Sequence, residues 1–172
     1  MSKETTSKAQ NLELSAPEKL DEKHDFKNFD CNEVSINEYA QKRAHKAQLA
    51  KDAVVYVVCR KDTTEVVAFY TLTSGSVVRS DAPKKLQRNA PNLYPVTILG
   101  RLGVDKSIQG QGVAKALLQD AIERAIKASE VVASRAMLVH ALDPRLAAFY
   151  QKYAGFTPSS ISPLTLMLPL IE

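Results

Sequence analysis

The chain is poor in sulfur and has no long apolar run. Its 172 residues include two cysteines, Cys31 and Cys59, too few for a disulfide framework or a multi-thiolate metal set. Cys59 closes the run Val54-Val55-Tyr56-Val57-Val58 and reads as a core thiol, since no histidine or acid partner is placed to activate it. No stretch approaches the ~18 consecutive apolar residues of a membrane-spanning helix. Met1 to Ser7 is polar rather than leader-like, so the expected compartment is the cytoplasm, with no membrane contact. Internal repeats and low-complexity tracts are absent. Hydrophobic (45%) and charged (24%) content is that of an ordinary soluble domain large enough to bury a core. A net charge of +4 and a pI near 9.0 admit a polyanionic partner without requiring one. Basic residues gather in Gln41-Lys42-Arg43-Ala44-His45-Lys46 and Lys84-Lys85-Leu86-Gln87-Arg88, with Arg79 and Arg101 isolated in less polar surroundings. A solvated helix face is the plainer account of the first cluster.

Glycine is scarce too, and two of the six glycines stand in Gln109-Gly110-Gln111-Gly112-Val113-Ala114. Upstream, Val96 to Val104 is aliphatic and β-branched and reads as a buried strand; downstream, Lys115 to Ala128 runs at helical period. The junction places two positions without side chains where a helix begins. The first helix amides lack internal partners and the dipole adds partial positive charge, so phosphate or pyrophosphate is the ligand that suits the loop. A Walker A loop is excluded because Ala116, not Ser or Thr, follows Lys115. A dinucleotide fingerprint fails because its third glycine position holds Lys115. A tight connection with no ligand is the structural alternative.

The pattern predicts residues 1 to about 11 as a disordered start and one domain from 12 to 172. Leu12 to Leu14 is expected as a short strand and Pro17 to Lys23 as turns. A helix over Ile36–Leu49 is capped by Asp30 or Ser35, and strands span 54–60 and 66–73 around a hairpin turn at 61–64. Ser80 to Asn92 is a polar connection with one helical turn at 83–87. The helix after the glycine loop buries Ala114, Leu117, Leu118, Ala121, Ile122, Ala125 and Ile126, with Asp120–Arg124 and Glu123–Lys127 as i,i+4 pairs. A strand at 137–139, a helix over Pro144–Tyr153 begun at Asp143, and a closing strand at 164–168 complete a mixed α/β domain, a central sheet flanked by helices. His140, beside Val139 and Ala141, reads as a buried core histidine.

Gln109, Gly112 and Ala114 match the Gln/Arg-x-x-Gly-x-Gly/Ala pyrophosphate loop of the GNAT acetyltransferases. The order of Phe29-Asp30-Cys31, the 36–48 helix, Tyr56 to Cys59, Arg88-Asn89-Ala90-Pro91, Ile98 to Asp105, Gln109 to Ala114, Leu138 to Ala141 and Phe149-Tyr150 resembles one branch, the GNAT toxins of type II toxin–antitoxin pairs, over residues 17 to 170. That resemblance implies the GNAT fold, a mixed and mostly antiparallel sheet flanked by helices. It further implies acetyl transfer from acetyl-CoA to the α-amino group of aminoacyl-tRNA, which blocks translation, with no metal. The implied partners are a second copy of the chain and a ribbon-helix-helix antitoxin.

The same resemblance assigns residues. Leu102, Gly103, Val104, Gln109, Gly110, Gln111, Gly112, Val113, Ala114 and Phe149 would contact acetyl-CoA, the backbone at 102 and 104 taking the acetyl carbonyl and pantetheine arm. Tyr150 would act as acid toward the leaving thiolate, although four residues rather than the family's three separate it from Gly155, leaving Tyr153 as a rival. Arg43, Arg79, Arg88 and Arg101 would meet tRNA. A free α-amino group titrates near ~7.7–8.0 and esterification lowers it further, so no dedicated carboxylate base is needed, in keeping with the absence of Glu from Leu99–Val104. Acetylation of a polyamine, an antibiotic or a protein N-terminus, and a non-catalytic acyl-CoA-binding module, are the alternatives. The first of these calls for a carboxylate-lined acceptor site.

Overall fold

In a computed structural model that describes residues 13–170, the β-branched and aliphatic runs form a seven-stranded sheet. The strands are β1 (Glu18–Lys19), β2 (Val54–Cys59), β3 (Val66–Val78), β4 (Leu93–Val104), β5 (Ala136–His140), β6 (Thr157–Pro158) and β7 (Thr165–Pro169), in the order β1-β2-β3-β4-β5-β7-β6. Five α-helices join them, α1 (Val34–Lys42), α2 (Ala44–Leu49), α3 (Lys84–Gln87), α4 (Val113–Ala128) and α5 (Pro144–Ala154), with short 3-10 turns at Arg79–Asp81 and Lys106–Ile108. The contacts divide the chain into two compact units, residues 1–71 with 101–117 and residues 72–100 with 118–172. The expected tail at 1–11 and the Leu12 end of the first strand lie outside the described residues.

The first unit is organised by aromatic rings. Phe26, Phe29 and Phe69 meet edge to face with centroids 5.4–6.1 Å apart, the arrangement that ring quadrupoles favour. Ile36, Tyr39 and Ala40 of α1 are buried on them, the i, i+3, i+4 spacing of one helix face. Gly103 lets that helix approach β4. A Cβ there would lie 2.8 Å from Ile36 Cγ2, 3.1 Å from Phe29 Cζ and 3.2 Å from Phe69 Cε1. Three converging side chains cannot all withdraw, so Gly103→Ala is expected to cost about 1–3 kcal/mol. Thermal unfolding should show a Tm several degrees lower, and an unchanged Tm would contradict the packing.

Several expectations need correction here. The helix expected over 36–49 is two helices, interrupted at Arg43, where φ is −124°. Glu33 rather than Asp30 or Ser35 precedes α1, without a side-chain cap, because the Asp30 carboxylate is engaged by Asn32 N–H and the Asn37 amide. The second helix is fixed by Gln48, whose Oε1 accepts from Val55 N–H at 2.8 Å and whose amide donates to Leu20 O. Pro17 to Lys23 is not all turn. Glu18 and Lys19 pair antiparallel with Val57 and Tyr56, and Leu14 bridges to Arg60.

In the second unit β5 pairs parallel with β4, from Val96↔Ala136 to Leu99↔Val139, and antiparallel with β7. Covered on both faces, Ala136 to Val139 is continuously buried, as a central strand requires. Tyr94, Val96, Ala136, Leu138 and Met167 form its core with Ala82 and Ala90. The 79–92 connection holds the expected helical turn and is tied down by Arg79 Nη1 to Ala90 O (2.9 Å), Gln87 to Ala82 O (2.7 Å) and Arg135 to Asn89 O (3.3 Å). The division between the units falls within α4, between Leu117 and Leu118. In that helix Leu117, Leu118, Ala121 and Ala125 are buried as expected and Asp120–Arg124 forms an ion pair at 2.9 Å, while Ile126 is exposed.

Candidate active site

The strand before the glycine loop has one paired and one open edge. Arg101 N–H donates to Thr71 Oγ1 at 3.0 Å and Asp105 N–H to Val67 O at 2.7 Å, so the backbone groups of 101, 103 and 105 face β3. Successive strand residues alternate direction, and the N–H and C=O groups of Leu102 and Val104 therefore face the other edge. There the register with β5 ends at Leu99↔Val139. Among residues 102–104, the amides aimed away from β3 are those of 102 and 104; the amide of Gly103 faces β3, and its Cβ position faces the core.

The loop is then locked to that edge. Gln109 Nε2 donates to Val104 O at 2.9 Å and to Cys31 O at 3.1 Å, one amide bracing the strand end and the 30–32 turn together. Beneath it, the buried Asp105 carboxylate accepts from Ser107 N–H (3.0 Å), Ser107 Oγ (2.7 Å) and Asp30 N–H (3.1 Å). Burial pushes the Asp105 pKa up, but these hydrogen bonds and the Arg60 charge outweigh it and hold the carboxyl below its ordinary value. A carboxylate so occupied is a poor proton acceptor. Asp30 is also lowered, by Asn32 N–H, then Asn37, then Lys106 at 3.2 Å. This Asp30–Asp105–Ser107 support was missed in the sequence, although Asp105-Lys106-Ser107 has the spacing of a side-chain-capped turn.

Gly110 and Gly112 both adopt positive φ, +77° and +82°, and a Cβ on either meets nothing within 4 Å. The glycines serve the backbone turn, and the space over them is open. With Val113, the loop runs directly into α4, whose first amides have no partners within the helix. Gln109 to Ala114, Leu102, Val104, Arg101 and Arg43 thus fall in the first unit.

Phe149, Tyr150, Arg79 and Arg88 fall in the second. Asp143 caps α5 by accepting from Leu146 N–H at 2.9 Å, Pro144 follows it, and Gly155 closes the helix in the left-handed conformation, φ +76°. The additional residue before Gly155 lies in the last helical turn and leaves the termination regular. Tyr150 is buried and Tyr153 is 46% exposed. Tyr150 packs against Phe149 and Phe156 at 5.4 and 5.5 Å, and its hydroxyl makes no hydrogen bond with a described residue. Burial pushes its pKa up to about 12.

Of the four arginines, Arg79 is fastened to Ala90 O. Arg43 and Arg88 are exposed at helix ends. Arg101 is exposed rather than buried in an ion pair, with its Cζ 4.2 Å above the Tyr39 ring. His140 is exposed as well, with Nδ1 3.0 Å from Thr165 Oγ1, because it ends β5 instead of lying within it. Cys59 is the expected core thiol, its pKa raised to about 11 by burial. No described helix is long and apolar enough to cross a membrane, and no described group of His, Cys, Asp and Glu is arranged to hold a metal.

Cys59 and Tyr150 both have folded pKa values above their ordinary 9.0 and 10.0. Their stabilisation is complete below those ordinary values and is lost as pH rises through about 11 and about 12 respectively. For Tyr150 the loss amounts to about 3 kcal/mol. Urea midpoints should fall steadily above pH 9, and Tyr150→Phe should flatten the upper part of that decline. A midpoint level from neutral pH to pH 11 would contradict it.

An open strand edge running into a glycine-turned helix start, in a mixed sheet of this order, suits a ligand with a pyrophosphate and an extended arm that can bond to backbone amides. Residues 21–156 match the model of the acetyltransferase (GNAT) family, and the chain belongs to that family. It is 41% identical over 154 residues to the tRNA-acetylating toxin of Mycobacterium tuberculosis (strain ATCC 25618 / H37Rv), covering 90% of this chain and 91% of that protein. The solved structure of AtaT complexed with acetyl-methionyl-tRNAfMet matches with a TM-score of 0.83 and 30% identity, over 91% of this chain and 94% of that one. A Tyr-to-Phe mutant of AtaT bound to acetyl-CoA and the C-terminus of the antitoxin AtaR matches with a TM-score of 0.77 and 26% identity, over 92% and 94%.

Proposed function

We propose that this chain moves the acetyl group of acetyl-CoA to the α-amino group of an aminoacyl-tRNA and so withdraws that amino acid from translation. The observation that carries the reading is the braced glycine loop beside the open Leu102–Val104 edge, which supplies amides for a pyrophosphate and for a thioester carbonyl on one continuous stretch of chain. The choice of acceptor is supported by the likeness to the mycobacterial toxin over nine-tenths of the chain and by the excess of basic residues.

In this scheme the coenzyme pyrophosphate sits on the amides of Gly110 to Ala114, and the Leu102 and Val104 N–H groups receive the acetyl carbonyl and pantetheine arm. The neutral α-amine attacks the carbonyl carbon. As the C–S bond breaks, the Tyr150 hydroxyl donates a hydrogen bond to the sulfur. A phenol of pKa about 12 does not release its proton fully to a thiolate whose acid titrates near ~8.5. Tyr150 therefore stabilises the developing charge, and the proton that finally reaches sulfur is the one the amine loses in becoming an amide.

Residues 12–172 act as one acetyltransferase domain in the cytoplasm, as a homodimer held inactive by a ribbon-helix-helix antitoxin. Labelled acetyl-CoA supplied with charged tRNA and spermidine together tests the acceptor. Label is expected in the tRNA fraction and lost on mild deacylation; label in spermidine alone would remove this reading.

A further inference from the structure

Among the described arginines, Arg101 combines two properties that the others do not share. It is held in place, and its guanidinium is unused. Arg60 binds Ser107 Oγ at 2.8 Å and Glu65 at 3.5 Å, Arg124 binds Asp120, Arg79 binds Ala90 O, and Arg135 binds Asn89 O and covers Tyr94. Arg43, Arg88 and Arg145 are exposed, with no ring or carboxylate to hold them. The Arg101 guanidinium lies over Tyr39, and Tyr39 in turn stacks on Phe69 with the rings 8° from parallel and 6.3 Å apart. Phe69 is fully buried and Tyr39 is 8% exposed, so the column rises from the core of its own unit and ends on a cation at the surface. Below the guanidinium, the Arg101 backbone is anchored on Thr71. The Arg101 side chain has no hydrogen bond to a described residue, which leaves the planar fork of five N–H donors free.

The register explains how this arises. Residues 101 and 103 share one face of β4. At 103 that face carries no side chain, which brings Ile36 of α1 against the strand; two residues earlier, Tyr39 of the same helix carries the Arg101 guanidinium on its ring. The position is one residue before Leu102, on the strand whose open edge faces the thioester carbonyl in the scheme above.

We infer that Tyr39 is a positioning residue that holds Arg101 as a bidentate receptor for one phosphodiester at the acceptor end of the aminoacyl-tRNA. This deepens the proposed function and rests on it. A guanidinium clamped by one face keeps its edge donors for an incoming anion, and the forked geometry matches two phosphate oxygens. The ring supplies attraction and orientation without neutralising the charge, as a carboxylate would.

The test measures acetylation of one aminoacyl-tRNA at several salt concentrations. Arg101→Met, which keeps an apolar stem on a surface residue, is expected to raise the KM for aminoacyl-tRNA about tenfold or more, with kcat and the KM for acetyl-CoA unchanged. It should also make the slope of log(kcat/KM) against log salt shallower by about 0.7, one single-stranded phosphate contact. Tyr39→Leu should show the same pattern at about threefold to tenfold, and Tyr39→Phe, which keeps the ring, should behave as the parent. Equal KM and salt slope in Arg101→Met and the parent would overturn the inference, as would a Tyr39→Phe protein as impaired as Tyr39→Leu. A loss confined to kcat would overturn it too. A parent inactive on every aminoacyl-tRNA would instead remove the proposed function, and this inference with it.

Discussion

Tyr150→Phe is expected to lower kcat by about 100- to 1000-fold, the effect of removing one hydrogen-bond donor aimed at developing negative charge, while leaving both KM values and the Tm close to those of the parent. The asymmetry follows from the surroundings of the hydroxyl. It bonds to no described residue, so its loss leaves no buried donor or acceptor without a partner, and the ring contacts with Phe149 and Phe156 survive the substitution. Stability should therefore be insensitive to a change that removes most of the activity. The pH profile makes a second demand. With the phenol pushed up to about 12, activity should rise as the acceptor amine deprotonates and should not fall from loss of the Tyr150 proton before about pH 12. A parent whose activity declines with an apparent pKa near the ordinary tyrosine value would contradict the assignment. So would a Phe variant that acetylates at the parent rate. Tyr153, exposed on the same helix, should tolerate the same substitution with little effect.

Gly112 carries the second large effect. Its φ of +82° disfavours any residue with a Cβ, and the space where that Cβ would stand is empty of protein. Gly112→Ala should cost about 1–2 kcal/mol of stability from the left-handed backbone. It should also raise the KM for acetyl-CoA about 10- to 100-fold, through weakened amide contacts to charged phosphate oxygens. Gly112→Asn separates the two causes. Asparagine adopts this conformation more readily, so most of the stability should return, while its side chain still stands where the pyrophosphate must approach. A variant that regains both stability and KM would mean that the glycine serves only the turn.

Much of this architecture was legible in the sequence because the signals are local. The α4 stripe, the Asp143–Pro144 start of α5 and the strand from Val66 depend on spacing within one element; they stand, except that Ile126 is exposed and the strand runs on to Val78 instead of ending at Thr73. The Gln109 to Ala114 loop was legible for the same reason, since its glycines answer to a backbone conformation and not to a distant partner. What was not legible depends on residues far apart in the chain. The Asp105 support needs Asp30, 75 positions away, and the Gln109 brace needs Cys31, 78 positions away. Gly103 looked like part of a cofactor strand, yet the three side chains that forbid a Cβ there arrive from Phe29, Ile36 and Phe69. The break at Arg43 leaves no mark in composition, because Gln41 to Gln48 is helix-compatible throughout and its course is fixed by Gln48 reaching Val55 and Leu20. His140 was misplaced by one step of strand length: as the last residue of β5 it reaches solvent, where an interior position would have been covered.

The acceptor is the center of the account, and mass spectrometry of total aminoacyl-tRNA tests it most directly. Charged tRNA is incubated with acetyl-CoA and the purified chain, and the aminoacyl-adenosine ends released by nuclease are weighed. The account predicts one or a few amino acids carrying an acetyl group on the α-nitrogen, absent without acetyl-CoA and strongly reduced with Tyr150→Phe. Unmodified aminoacyl ends throughout, from a protein that acetylates polyamines or protein N-termini under the same conditions, would contradict it.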